Sequence, residues 1–340
     1  MGVARRPGAI APGFSIPDFR PPKTNPHDPG HNLHPRGMTP ALRADDLVSL
    51  VGHTPLLDLS KLSPKPSVRV LGKAEWFNPG GSVKDRPALW MVRDGEATGA
   101  LQRGRTILEA TSGNTGIGLA WVGAALGYPV EICLPANAND ERRAALTAFG
   151  ATIVDTDPML GTDGAILEAR RRSSDPRYFY PDQYGNAANA RAHYESTGPE
   201  LLEQSGGELT HLVAGLGTSG TLMGAGRRLK EALPSLVRVG VQPDVAFHGL
   251  EGLKHMTSAL VPAIYDAAAV DVQATVTTEA AHAMCRRAAR ETGAWIGISA
   301  GAALHAAIEL ARTLERGTIA VVLCDGGARY ASERFWREET

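Results

Sequence analysis

From about Asp45 onward, short apolar runs rich in β-branched residues alternate with longer amphipathic stretches. Val68-Arg69-Val70-Leu71, Val130-Glu131-Ile132-Cys133-Leu134, His211-Leu212-Val213-Ala214 and Ile319-Ala320-Val321-Val322-Leu323 are such runs. Near-continuous apolar runs of this length predict strands covered on both faces. Their alternation with helical segments, one of them expected over Thr115 to Leu126, predicts βαβ units: an α/β fold of mostly parallel sheets flanked by helices. No proline-rich or charged linker follows residue 45, so a domain boundary must be crossed by compact connections.

At 340 residues and 43% hydrophobic content the chain can bury the cores of two domains. The 35 Lys and Arg nearly cancel the 36 Asp and Glu, so no net field favours nucleic acid or an anionic membrane, and small molecules are the expected partners. Cys133, Cys285 and Cys324 form no CxxC pair, which argues against a disulfide framework or a zinc ribbon and fits a reducing cytoplasm. The longest apolar stretches, such as Gly116 to Leu126, are broken by glycine and far shorter than a bilayer span. The first forty residues hold nine of the 23 prolines and no apolar signal region, so residues 1–44 read as a flexible extension. Its Arg5-Arg6 pair lacks the apolar segment of an export signal, and His27, His31 and His34 read as a solvated tail, not metal ligands.

Three glycine-rich turns carry the candidate chemistry. In NPGGSVKDR, Asn78 to Arg86, Ser82 with Asp85 three residues on is the pattern of a capping box, which puts Lys84 in the first helical turn. There the helix dipole and a partly dry site favour the neutral amine, able to bond a carbonyl carbon or abstract a proton. An ordinary exposed lysine fits this segment equally. ATSGNTG, Ala110 to Gly116, opens a helix whose N–H groups, with the hydroxyls of Thr111, Ser112 and Thr115, suit a carboxylate, while the Asn114 amide suits a phenolic oxygen. Helix capping alone would also explain it. In GLGTSGTLMGAG, Gly217-Thr218-Ser219-Gly220-Thr221 offers successive backbone donors and three hydroxyls, which suits a phosphate monoester. It matches neither a P-loop nor a dinucleotide fingerprint.

The order of these turns, followed by GISAG at Gly297 to Gly301, is more specific than any one of them. With VGHTPLL near the start, QYGNAAN at Gln183 to Asn189 and DGGARY near the end, the chain resembles the cysteine synthase and cystathionine β-synthase family of fold-type II pyridoxal-phosphate enzymes. The resemblance is nearest to cysteine synthase and runs from about Val51 to Tyr330. It implies two α/β domains, a large one from residues 45–77 and 185–340 and a smaller mobile one from residues 78–184, and a homodimer. It also implies that Lys84 holds the cofactor aldehyde, Asn114 meets its phenolic oxygen, and Gly217, Thr218, Ser219, Gly220 and Thr221 hold its phosphate. Ser299 would face the pyridine nitrogen, and Thr111, Ser112, Thr115 and Gln183 the substrate carboxylate.

Three positions depart from the pattern. The phosphate loop reads GTSGT where many members have GTGGT, adding one hydroxyl. Cys324 stands where many cysteine synthases have proline, a second candidate for the ring nitrogen or a small residue filling a strand end. In HGLEGLKHM, Lys254 stands where the branch using O-phosphoserine has an arginine; it would attract a phosphate as a point charge, or be a solvated loop lysine. The implied reaction is replacement of the leaving group of O-acetylserine or O-phosphoserine by sulfide or another sulfur donor. The resemblance leaves open another β-substituted alanine, cystathionine, dehydration of serine or threonine, or a catalytically dead regulatory relative. SGNTG speaks against dehydration, for which a histidine follows the asparagine. Protein partners implied are the tail of serine acetyltransferase or a sulfur-carrier protein.

Overall fold

The computed structural model describes residues 44–111 and 113–337. The expected extension, up to residue 43, and Ser112 lie outside the described residues. In chain order the elements are β1 (Leu56–Asp58), β2 (Val68–Ala74), α1 (Asp85–Ala97), β3 (Thr106–Ala110), α2 (Asn114–Leu126), β4 (Val130–Pro135), α3 (Asp140–Ala148), β5 (Thr152–Thr156), α4 (Gly161–Arg172) and β6 (Tyr178–Phe179). After these come α5 (Ala187–Ala192), α6 (Gly198–Gln204), β7 (His211–Gly215), α7 (Gly220–Ala232), β8 (Val237–Pro243), β9 (Val272–Val276), α8 (Thr278–Thr292), α9 (Ile298–Thr313) and β10 (Gly317–Leu323). The four apolar runs fall in β2, β4, β7 and β10, and the expected helix is α2, one residue longer at its start.

The strands form two sheets within one compact unit. One has the order β1-β2-β10-β7-β8-β9 and is parallel except for β1. The other, β5-β4-β3-β6, is wholly parallel, and its strands all lie between residues 78 and 184. Successive strand side chains point to opposite faces. In β10, Ile319, Val321 and Leu323 therefore pack with Ala303 and Leu304 of α9, while Ala320 and Val322 pack with Leu222 and Ala225 of α7. The smaller sheet repeats this: Ile107 and Ile132 meet Ile117 and Leu119 of α2, whereas Leu108 and Cys133 meet Ala165 and Ile166 of α4. Burial on both faces is why these strands read as continuous apolar runs.

Two consequences bear on function. Among the described residues no helix is long and apolar enough to cross a membrane. β3 runs into α2 and β7 into α7, so two helix N-termini meet at the carboxyl ends of strands, where open α/β sheets bind ligands.

Candidate active site

A cavity of about 440 Å³ lies at those strand ends, the volume of a small-molecule site. Lys84, Thr111, Asn114, Thr115, Gln183, Gly217, Thr218, Ser219, Thr221, Lys254 and Ser299 all line it, with Cys324. Gly220 is the next residue after Ser219 and opens α7. A larger groove of about 770 Å³, beside Trp76, Trp295 and Arg329, contains none of these residues.

Lys84 immediately precedes α1 and is not inside its first turn. The expected capping box does not form. Asp85 turns back, its Oδ2 accepting from Gly80 N at 2.5 Å, while Ser82 Oγ accepts from Lys84 N at 3.2 Å. The buried N–H of the glycine turn has the stronger claim on the carboxylate, because it would otherwise be orphaned. Burial raises the Asp85 carboxyl to about 7. The next residue, fully buried Arg86, pairs with Glu75 at 2.7 Å and Glu200 at 2.6 Å, and Lys73 meets Glu200 at 2.6 Å. Thr54 of the VGHTPLL block donates to Glu75 at 2.7 Å. Two cations and two anions thus anchor the start of the lysine helix, each buried charge compensated.

The turn Gly217 to Thr221 wraps from β7 into α7. A Cβ at Gly217 would meet Gly252 O at 2.2 Å, and one at Gly220 would meet Asn189 Oδ1 at 2.0 Å; both positions demand glycine. Ser219 sits at φ 67°, a left-handed conformation uncommon for serine. Its hydroxyl donates to Thr218 O at 2.5 Å, so this extra hydroxyl is engaged by the loop's own backbone. Behind the turn stands His193, which the sequence reading passed over. Its Nε2 lies 3.3 Å from Thr221 Oγ1 and its Nδ1 2.9 Å from Thr197 Oγ1. Burial pushes the imidazole down to about 3, so it is neutral. It opens a π-helical turn, His193–Thr197, a rare geometry frequent at functional sites.

On the opposite wall, Thr111 Oγ1 accepts from Gly113 N at 2.9 Å at the start of α2. Thr115 Oγ1 donates to Gln183 Oε1 at 2.6 Å, and Gln183 Nε2 donates to Ala110 O at 2.6 Å. Gln183 is therefore a buried strut with both ends of its amide engaged. Asn114 Nδ2 donates to Asp325 Oδ2 at 2.7 Å. Ser299, near the start of α9, lines the cavity together with Cys324, whose thiol burial lifts to about 11. Lys254 is no solvated loop lysine: it is buried, pairs with Asp163 at 2.8 Å, and has its ammonium 5.2 Å from the centre of the Tyr184 ring. Arg142 and Glu251 form a second ion pair on the cavity wall.

The sequence model of the family described as "Pyridoxal-phosphate dependent enzyme" matches residues 47–325. The chain belongs to this family. Its cofactor is pyridoxal phosphate, and the residues present fit it: a cradle at a helix start with two positions closed to any side chain, a lysine in the same cavity, and a buried Asn114 Oδ1 with no hydrogen-bond partner. Cysteine synthase from Aquifex aeolicus is 47% identical over 304 residues, 87% of this chain and 93% of that protein. O-ureido-L-serine synthase superposes with a TM-score of 0.82 at 36% identity, covering 86% of this chain and 95% of that one. Cysteine synthase (OASS) from Entamoeba histolytica gives 0.81 at 33% identity, covering 86% and 91%.

Proposed function

We propose that the protein is a cysteine synthase, replacing the β-substituent of O-acetylserine or O-phosphoserine with sulfide or another sulfur donor. The observation that carries this is the convergence of Lys84, the start of α2 and the Gly217 to Thr221 cradle on one cavity, in a chain 47% identical to a cysteine synthase. When bound, pyridoxal phosphate supplies an electron-withdrawing ring conjugated to the substrate α-carbon. Gly217, Thr218, Ser219, Gly220 and Thr221 would hold its phosphate, Asn114 its phenolic oxygen and Lys84 its aldehyde carbon. Thr111, Ser112 and Thr115, with the N–H groups of α2, orient the substrate carboxylate, and Gln183 braces Thr115. Lys84 Nζ then takes the α-proton as general base. Ser299 would present a neutral hydroxyl to the ring nitrogen; such a group does not stabilise a protonated ring and would favour prompt loss of the β-substituent.

The test is cysteine formation by the cofactor-loaded protein from either serine ester and sulfide. Lys84→Ala should abolish the lysine-bound cofactor's visible absorption and lower turnover by about 10³-fold or more; cysteine formation at the wild-type rate would overturn the assignment. A second reading, synthesis of a different β-substituted alanine, is favoured by the match to O-ureido-L-serine synthase, and a panel of nucleophiles separates the two.

The same reading includes a mobile domain of residues 78–184 closing on the rest, a homodimer, and a cytoplasmic location supported by three free cysteines. Met159 and Phe247, 89% and 99% exposed on the cavity rim, support docking of a serine acetyltransferase tail or a sulfur-carrier protein there.

A further inference from the structure

We infer that Asp325 is a positioning residue for this reaction, acting through Asn114 and not on a ligand itself. It follows β10, is fully buried, and is not among the residues lining the cavity, whereas Asn114 is. Asp325 Oδ2 accepts from Asn114 Nδ2 at 2.7 Å and from the Tyr330 hydroxyl at 2.8 Å. Its backbone oxygen accepts from Gly297 N at 3.0 Å, just before α9. A Cβ at Gly297 would fall 2.0 Å from Asp325 Oδ1 and 2.6 Å from the Tyr330 ring, so the carboxylate occupies space that only glycine leaves open.

An asparagine amide is nearly symmetric in shape, and packing alone does not distinguish its nitrogen from its oxygen. An oxygen that acts as an acceptor does, and Asp325 Oδ2 already accepts the Tyr330 hydroxyl proton. Asp325 therefore admits the amide nitrogen and excludes the oxygen. Asn114 Oδ1 is consequently left buried without a partner, an unfavourable condition that a ligand would relieve. The 2.7 Å bond to Nδ2 holds the amide in that orientation against rotation. What Asn114 offers the cofactor, its Oδ1 and its second Nδ2 hydrogen, is thus set by a residue 211 positions away.

The inference rests on the reading that Asn114 meets the cofactor, and a double-mutant cycle separates the two. Asp325→Asn is nearly isosteric but both donates and accepts, so either amide orientation becomes possible. The readouts are the visible spectrum and dissociation constant of the bound cofactor, with kcat/KM for the serine ester. D325N is expected to shift the spectrum and lower kcat/KM by about 10- to 100-fold, the scale of one charged hydrogen bond. In an Asn114→Ala background it should add less than about twofold, because its partner is already gone. Additive losses, or a wild-type spectrum in D325N when N114A shifts, would overturn the inference. A wild-type spectrum in N114A would overturn the underlying reading and the inference with it. Asp325→Ser, a smaller residue with a hydroxyl acceptor, gives the same cycle if D325N folds poorly.

Discussion

Asp163 Oδ1 meets Lys254 Nζ at 2.8 Å while its Oδ2 accepts from Leu260 N at 3.2 Å. One carboxylate in the first turn of α4 thus grips the coil from residue 254 to residue 260. The buried ammonium in the cavity wall is neutralised before any substrate arrives. A phosphate dianion has to compete with Asp163 for that charge; an acetyl ester does not.

Removing the competitor should therefore change the donor preference. Asp163→Asn is expected to raise kcat/KM for O-phosphoserine relative to O-acetylserine by about tenfold, and Lys254→Ala to lower use of O-phosphoserine by about 1.5–3 kcal/mol in transition-state terms while sparing O-acetylserine. Steady-state kinetics with both donors checks it. Equal changes on the two donors would take Lys254 away from the leaving group.

Ser219 holds a left-handed φ of 67° at the phosphate turn. That conformation costs an L-residue about 1–2 kcal/mol, and glycine returns about half of it through its larger unfolded-state entropy. Ser219→Gly should raise stability by about 0.5–1 kcal/mol with cofactor affinity retained, read by denaturant unfolding and cofactor titration. A loss of affinity would show that the Ser219 side chain, and not only its backbone, serves the phosphate.

The depressed pKa of His193, about 3 against an ordinary 6.5, makes stability depend on pH with a definite sign. Between those values the unfolded chain binds the proton and the folded chain does not, so the contribution is complete above 6.5 and is lost as pH falls. In His193→Gln that dependence is absent. The Tm advantage of wild type over the variant should shrink from about pH 7 to about pH 5. A constant difference would locate the titration elsewhere.

The legible parts of the molecule are those encoded locally. β2, β4, β7 and β10 are covered on both faces and so show as unbroken apolar runs, whereas β1 and β6, of three and two residues, are too short to show a period. Lys84 and the cradle are legible because each turn is a contiguous motif and their order is specific. Contacts spanning long separations are not: Asp163 and Lys254 stand 91 residues apart, and His193 and Thr221 28 apart. The capping box at Ser82 fails for a different reason: a buried N–H five residues back, at Gly80, takes the Asp85 carboxyl.

Ser299 and Cys324 both line the cavity wall, and the sequence offered both for the ring nitrogen. The Cys324 thiol, lifted to about 11 by burial, stays protonated at neutral pH and is only a weak donor. The Ser299 hydroxyl both donates and accepts, and its place in the first turn of α9 tolerates a carboxylate because the helix dipole favours negative charge there. Ser299→Asp should therefore fold, keep cofactor bound and stabilise a protonated ring, shifting the visible spectrum and lowering the ratio of β-replacement to side reactions. Cys324→Ala should leave both unchanged. The reverse pattern, a spectrum that moves with Cys324→Ala and not with Ser299→Asp, would assign the ring contact to the cysteine.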